Sequence, residues 1–305
     1  MKMNHAQGLM LKKALAVTVI VLFITIPSCK KEGSSAGSAD EQKEFATVVA
    51  ESDAEAEMIF DNIFDNAMGA SAEVGLGGTG IFGYSGTGSI GGELNKVDSI
   101  ACFTATFSPV GATRFPLKLV IDFGAGCQGN DGRTRKGKII IVYTGRLVTA
   151  GNSATTSFDN YSVDDVKVEG TQVITNNSTT DKRSFTITVT EAKLTRPNGN
   201  FIEWNSEKTI TQTEGLATIF LPLDDVFTLS GQSNGTVKVG DKLFQWATQI
   251  SEPLTKKFTC RWITKGVITL KKGNNKVAVL NYGSGDCDNK ASFTVNGTAY
   301  EITLH

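Results

Sequence analysis

Ser184-Phe-Thr-Ile-Thr-Val-Thr190 decides the fold class. Phe185, Ile187 and Val189 alternate with hydroxyl side chains at a period of two. That is the pattern of a strand with one face in a core and the other in water. The same grammar extends in both directions. Lys138-Ile-Ile-Ile-Val-Tyr-Thr144 is a β-branched run, and Asp165-Val-Lys-Val-Glu169 and Ala291-Ser-Phe-Thr-Val-Asn296 alternate. Turn-forming residues punctuate the runs at Pro197-Asn198-Gly199-Asn200, Ser233-Asn234-Gly235, Gly273-Asn274-Asn275 and Asn296-Gly297. No amphipathic stretch of helical length follows Met68. Short turns between strands require antiparallel pairing, because parallel neighbours need long crossovers. Residues 97–305 are therefore expected to be a mainly β domain, a large antiparallel meander or sandwich of roughly twelve to fifteen strands.

One helix is expected before it. Phe45, Val48, Val49, Ser52, Ala56, Ile59, Phe60, Ile63, Phe64 and Ala67 recur at three-to-four spacing, with Glu and Asp on the opposite face. The periodicity predicts an amphipathic helix over about 41–67, in a segment bounded at 44–68 and stopped by Gly69. Its Phe/Ile stripe should pack on the β domain. Its acidic face argues against lying on an anionic membrane. Residues 69–96 form a Gly-rich loop, with ten glycines between Gly69 and Gly92. Gly75-Leu76-Gly77-Gly78-Thr79-Gly80 matches a dinucleotide-binding pattern in letters only. It follows a helix and leads into more glycine, where the motif requires strand, turn and helix.

The N-terminus carries an address. Lys12 and Lys13 precede an apolar run from Ala14 to Ile26, too short for a membrane span, which needs about twenty residues. A basic flank and a short apolar core predict a signal peptide over 1–28, and Met10 is an alternative start. Ile26-Pro27-Ser28-Cys29 resembles the lipobox of bacterial lipoproteins, and Ser28-Cys29-Lys30-Lys31 is similar to that of Bacteroidota lipoproteins. The resemblance implies cleavage before Cys29 and acyl chains on its sulfur, hence stable membrane attachment. Lys30, where some inner-membrane lipoproteins carry Asp, favours the outer membrane. Residues 29–43 read as the lipidated cysteine and a flexible tether.

The four remaining cysteines, Cys102, Cys127, Cys260 and Cys287, are an even set for an oxidising compartment, so two disulfides are expected. Three pairings are possible. An internal echo favours 102–127 and 260–287. Cys102-Phe-Thr-Ala-Thr leads to Asp122-Phe-Gly-Ala-Gly-Cys127, and Cys260-Arg-Trp-Ile-Thr leads to Tyr282-Gly-Ser-Gly-Asp-Cys287. Each reads as a cross-linked hairpin.

These segments, with Asp131-Gly-Arg-Thr-Arg-Lys-Gly-Lys-Ile139, Phe158-Asp-Asn-Tyr161 and Thr294-Val-Asn-Gly-Thr-Ala-Tyr300, resemble a set of uncharacterised Bacteroidota envelope lipoproteins. The resemblance runs from about Ala101 to the C-terminus. It implies an address and a fold, and no site.

The chemistry is sparse. The two histidines are His5 and His305, at the extreme ends, so a Ser-His-Asp triad, a Cys-His pair and a His-based zinc site have no residues to build them. There is no Gly-Lys-Ser/Thr phosphate loop. A net charge of −1 gives no excess of basic residues for nucleic acid. No cofactor and no catalytic residue is assigned. Asp286, Asp288 and Asp131 sit in turns rich in oxygen ligands, but Asp and Asn favour turns for local reasons. Trp204, Trp246, Trp262 and Tyr161 are candidates for stacking on sugar rings. Asp98-Ser99-Ile100 resembles the O-glycosylation site of exported Bacteroidota proteins, with Ser99 as acceptor. The expectation is a lipid-anchored, non-catalytic envelope module for a glycan or another envelope component. A lipid-handling protein with an apolar cavity and a carboxylate-dependent hydrolase are the alternatives.

Overall fold

A computed structural model describes residues 39–69, 103–218 and 222–304. The signal peptide, Cys29, the tether up to residue 38, most of the Gly-rich loop, Ser99, Cys102 and His305 lie outside the described residues; residues 39–43, expected to be flexible tether, are instead the first residues of the helix.

The helix α1 runs Ala39–Met68 and ends at Gly69, whose φ of 71° is the left-handed cap that glycine adopts without strain. Fourteen antiparallel strands follow: β1 Thr104–Pro109, β2 Leu117–Asp122, β3 Cys127–Gln128, β4 Thr134–Tyr143, β5 Ser153–Val163, β6 Val166–Asn176 and β7 Ser184–Thr195, then β8 Phe201–Glu214, β9 Val226–Val239, β10 Lys242–Lys257, β11 Lys265–Lys272, β12 Asn275–Ser284, β13 Lys290–Val295 and β14 Thr298–Thr303. They form one sheet in chain order from β1 to β14, with the short β3 alongside β4. The fold is mainly β, an antiparallel meander with one N-terminal helix. Of the two architectures left open by the sequence, the single meander is the one adopted.

The sheet coils around α1. Helix contacts come from β5 and from β8 through to β13. Tyr143 of β4 donates its hydroxyl to the Ala67 carbonyl at 2.8 Å, and Gln172 of β6 donates to the Phe60 carbonyl at 2.9 Å. A flat sheet of strands up to sixteen residues long does not curl this way without breaks in the ladder. Bulges supply them. Opposite Gly137 (φ 73°), Asn160 takes a φ of 50°, and the backbones approach so closely that a Cβ at 137 would lie 2.2 Å from the Asn160 carbonyl oxygen. Gly170 (φ 119°) and Glu191 (φ 54°) form a second break, between β6 and β7. Each inserts a residue, raises the local twist and bends the sheet around the helix.

Strand alternation sorts the residues into inside and outside. On β8, Ile202, Trp204, Ser206, Lys208, Ile210 and Gln212 are buried, whereas Glu203, Asn205, Glu207 and Thr209 are exposed. The outer face of this strand is polar, unlike the apolar band of a membrane-spanning barrel. Inside, Phe64 stacks on Phe258, and both meet Phe227 edge to face. Phe60 stacks on Trp204. The Phe/Ile stripe of α1 is thus the centre of the core.

Three of the four expected turns stand between strands: the 197–200 turn joins β7 to β8, the 273–275 turn joins β11 to β12, and Asn296-Gly297 joins β13 to β14. Ser233-Asn234-Gly235 does not turn. It lies in the middle of β9, with Gly235 in register between Trp204 of β8 and Trp246 of β10. The glycine there makes room: a Cβ would lie 2.5 Å from the Trp246 ring. The reading of Gly as a turn signal was overridden by side-chain packing.

Candidate functional site

The polar residues that matter most come from α1. Asp53, Glu57, Asp61 and Asp65 repeat at a spacing of four, so they stack along one side of the helix. All four are buried against the sheet. Asp53 Oδ1 accepts three bonds, from Trp204 Nε1 at 2.9 Å, Trp246 Nε1 at 3.1 Å and Ser233 Oγ at 2.7 Å. One turn along, Glu57 is ion-paired with Lys208 of β8. The next two turns share one cation: Lys256 of β10 lies 3.1 Å from Asp65 Oδ1 and 3.7 Å from Asp61 Oδ2.

The sheet supplies these partners by its period of two. Lys208 follows Ile202, Trp204 and Ser206 in the inward phase of β8, and Lys256 lies between Leu254 and Phe258 in the inward phase of β10. A lysine in phase with buried side chains is the signal that reveals the site from sequence, and only when set beside the four-residue acid repeat. Burial in this interior pushes the Asp61 carboxyl above the usual carboxylate range, against the attraction of Lys256. Burial likewise lowers the Lys208 ammonium to about 8, opposed by Asp53. Buried ions of this kind hold their geometry tightly, since an unpaired partner would be costly.

The aromatic candidates are not gathered into a platform. Trp204 (1 % exposed) and Trp246 (4 %) are enclosed and committed to Asp53, so their rings are unavailable for stacking on a sugar. Tyr161 is enclosed too. Its phenol is pushed up to about 12 by burial, partly offset by Arg135. Trp262 is half-buried, with the Arg261 guanidinium 5.6 Å from its ring centre.

The three acidic candidates are apart in role. Asp131 holds Arg135 through two bonds, at 3.0 and 2.9 Å. Burial raises its pKa and the Arg135 bonds outweigh that, holding it below the ordinary carboxylate value. Asp288 accepts the Lys290 amide at 2.9 Å, as a turn-former does, and Asp286 is exposed beside it. Among the described residues, no group of three or more His, Cys, Asp or Glu is placed to hold a metal ion. Cys260 and Cys287 form a disulfide with Cα atoms 5.7 Å apart, which closes the β11–β12 hairpin. Cys127 is also disulfide-bonded. Cys102, its expected partner, lies outside the described residues.

A cleft of about 300 Å³ opens beside the N-terminal half of α1, walled by Val48 and Glu55 of the helix, Arg196 and Asn200 of the β7–β8 turn, Val237 and Leu304. Glu55 is ion-paired with Arg196. Glu51 also lines the cleft. The two glutamates stand one helical turn apart on the same wall, whereas a glycoside hydrolase sets its two carboxylates on opposite sides of the bond it breaks.

No protein-family profile, curated protein or solved structure matches this chain. The site therefore stands on its own geometry. In this geometry the buried charges of α1 face protein partners, and the cleft walls mix aliphatic side chains with Glu51, Asn200 and the Glu55–Arg196 ion pair.

Proposed function

We propose that this chain is a lipid-anchored, non-catalytic protein of the cell envelope. In this reading a rigid β module, held to the outer membrane through acyl chains on Cys29, serves as a binding or structural element for a glycan or another envelope component. One observation carries the choice against a lipid carrier: the concave face of the sheet, where a carrier keeps its cavity, is filled by α1 and its aromatic stripe. Against a hydrolase, the buried acids of α1 already meet sheet lysines, indoles and a serine hydroxyl. The lipobox-like Ile26-Pro27-Ser28-Cys29 supports the anchor.

Two measurements test the proposal. Metabolic labelling with a palmitate analogue should mark the chain and fail to mark a Cys29→Ala variant; equal labelling of both would remove the anchor. Native mass spectrometry of residues 30–305, delivered to the periplasm, should give a bare chain four hydrogens lighter than its reduced mass. A lipid-sized adduct retained through purification would replace the module reading with the carrier one.

A further inference from the structure

Three hairpin turns ring the start of α1. The β9–β10 turn is tied to it by the Lys242–Glu44 ion pair and by Phe244, whose ring centre lies 6.2 Å from that of Phe45. The β11–β12 turn is tied through Lys272, 5.2 Å from the Phe45 ring centre. The β13–β14 turn is tied through Asn296, which donates to Gln42 at 2.8 Å, while Lys43 stands over the Tyr300 ring.

This rim is apolar and basic at once. Leu243, at 62 %, is the most exposed large apolar side chain among the described residues, and Val239 is also exposed. Both flank the β9–β10 turn. In register, Leu243 stands opposite Lys238 and Val239 opposite Lys242, so each face of the hairpin tip pairs one aliphatic residue with one lysine. The tips 237–244 and 270–277 together hold Lys238, Lys242, Lys271, Lys272 and Lys276 against one acid, Asp241. The third tip, 295–298, is uncharged. The helix start adds Lys43 against Asp40, Glu41 and Glu44, and the rim remains net positive in a chain of net charge −1. The acid row of α1, which would repel an anionic surface, is buried inside the sheet.

We propose that this rim is a membrane-contact surface, which rests on anionic phospholipid with Leu243 and Val239 at the level of the acyl boundary and the lysines at the phosphates. A lysine carries its ammonium on a long apolar stem, so beside an exposed aliphatic residue it suits the zone where hydrocarbon meets headgroup. Chain length selects the bilayer as the occupant. Nine residues lie between Cys29 and Ala39, so an acylated Cys29 holds the start of α1 within roughly 35 Å of the membrane. The surface thus rests on the anchor reading for its orientation and supplies the second signal that fixes it.

Vesicle binding tests this. The mature chain with Cys29→Ala keeps the fold and loses the acyl chains. At low salt it should sediment with vesicles of phosphatidylethanolamine and phosphatidylglycerol and stay free of phosphatidylcholine vesicles. Lys271→Glu with Lys276→Glu should lower that binding by about tenfold or more at unchanged Tm, and Leu243→Ser should lower it less. Equal binding to both vesicle types, or indifference to these variants, overturns the proposal. The lipidated chain provides the second reading. On the anionic vesicles its rim lysines should resist acetylation, whereas exposed Lys182, on the β6–β7 turn, should react as it does in detergent. Uniform reactivity of the lipidated chain overturns the surface and leaves the anchor standing. A chain that takes no acyl label at Cys29 but binds anionic vesicles through the rim removes the anchor and keeps the surface. Protection that appears without vesicles and grows with protein concentration assigns the rim to a second copy of the chain and overturns the membrane assignment.

Discussion

The two sides of α1 are buried by opposite means. On one, Phe60, Ile63 and Phe64 pack among Phe227, Phe258 and Trp204, as any amphipathic helix packs on a sheet. On the other, four carboxylates enter the same sheet and are met there by two lysines, two indoles and a serine. The apolar side gains from every Å² removed from water, at roughly 25 cal/mol per Å². The acidic side gains little net energy, because desolvation offsets most of the attraction between its ions. What it contributes is specificity. Apolar packing tolerates sliding or rotation of the helix, whereas an Asp53 bonded by two indoles and a hydroxyl does not.

The two largest expected effects fall one on each side. Lys256→Ala leaves Asp61 and Asp65 buried without their cation and should cost about 3–5 kcal/mol in chemical denaturation. Phe64→Ala on the apolar side should cost about the same, also 3–5 kcal/mol, for a different reason, the cavity it leaves. The comparison breaks with the triple variant Lys256→Met, Asp61→Leu, Asp65→Leu. If the ion pairs contribute specificity, that protein should be as stable as the parent or more so, within about 1–4 kcal/mol. Severe destabilisation of the triple variant would mean that the buried charges are a net source of stability.

Gly235→Ala sharpens the comparison at the point where the two sides meet. The added methyl would overlap the Trp246 ring, and an overpacked core typically costs about 1–3 kcal/mol. The indole N–H resonances of Trp204 and Trp246 should shift together, since both bond Asp53.

The smallest effect is expected away from α1. Asp225 is buried where β9 begins and accepts a bond from Gln212; burial and the adjacent Asp224 raise its pKa to about 7. A carboxyl raised on folding binds protons more tightly in the folded state. Its contribution is therefore full below about pH 4, the unfolded value, and is lost as the pH rises through 7. Stability should fall by on the order of 1–2 kcal/mol across that window, after allowance for solvent near the loop. Asp225→Asn should flatten this slope, and an unchanged slope would assign it to Asp61, the other carboxyl raised by burial.

Most of the architecture was legible in the chain. The alternation in Ser184–Thr190 and its relatives determined antiparallel strands, because a half-buried strand can only place every second residue inward. The stripe from Phe45 to Ala67 determined the helix and its packed side. The echo around the cysteines led to the Cys260–Cys287 pair. Three features were out of reach. Gly235 reads as a turn because local sequence cannot distinguish a glycine that bends the chain from one that leaves room for an indole on the next strand. Trp204 and Trp246 read as stacking surfaces because their hydrogen-bond acceptor is about 150–190 residues away in the chain. The acid row reads only as a polar side, since periodicity tells which residues share a face and says nothing of what that face meets.

The sequence by itself therefore determined strand, helix, turn chemistry and the parity of the cysteines, all of them properties of neighbours along the chain. Only the tertiary structure decided that the sheet coils around the helix and that four acids meet two lysines, two indoles and a serine inside it. The physical reason is that burial of a charge is settled by partners brought together from distant strands. A carboxylate on a helix has the same local preference whether it ends in water or against a lysine.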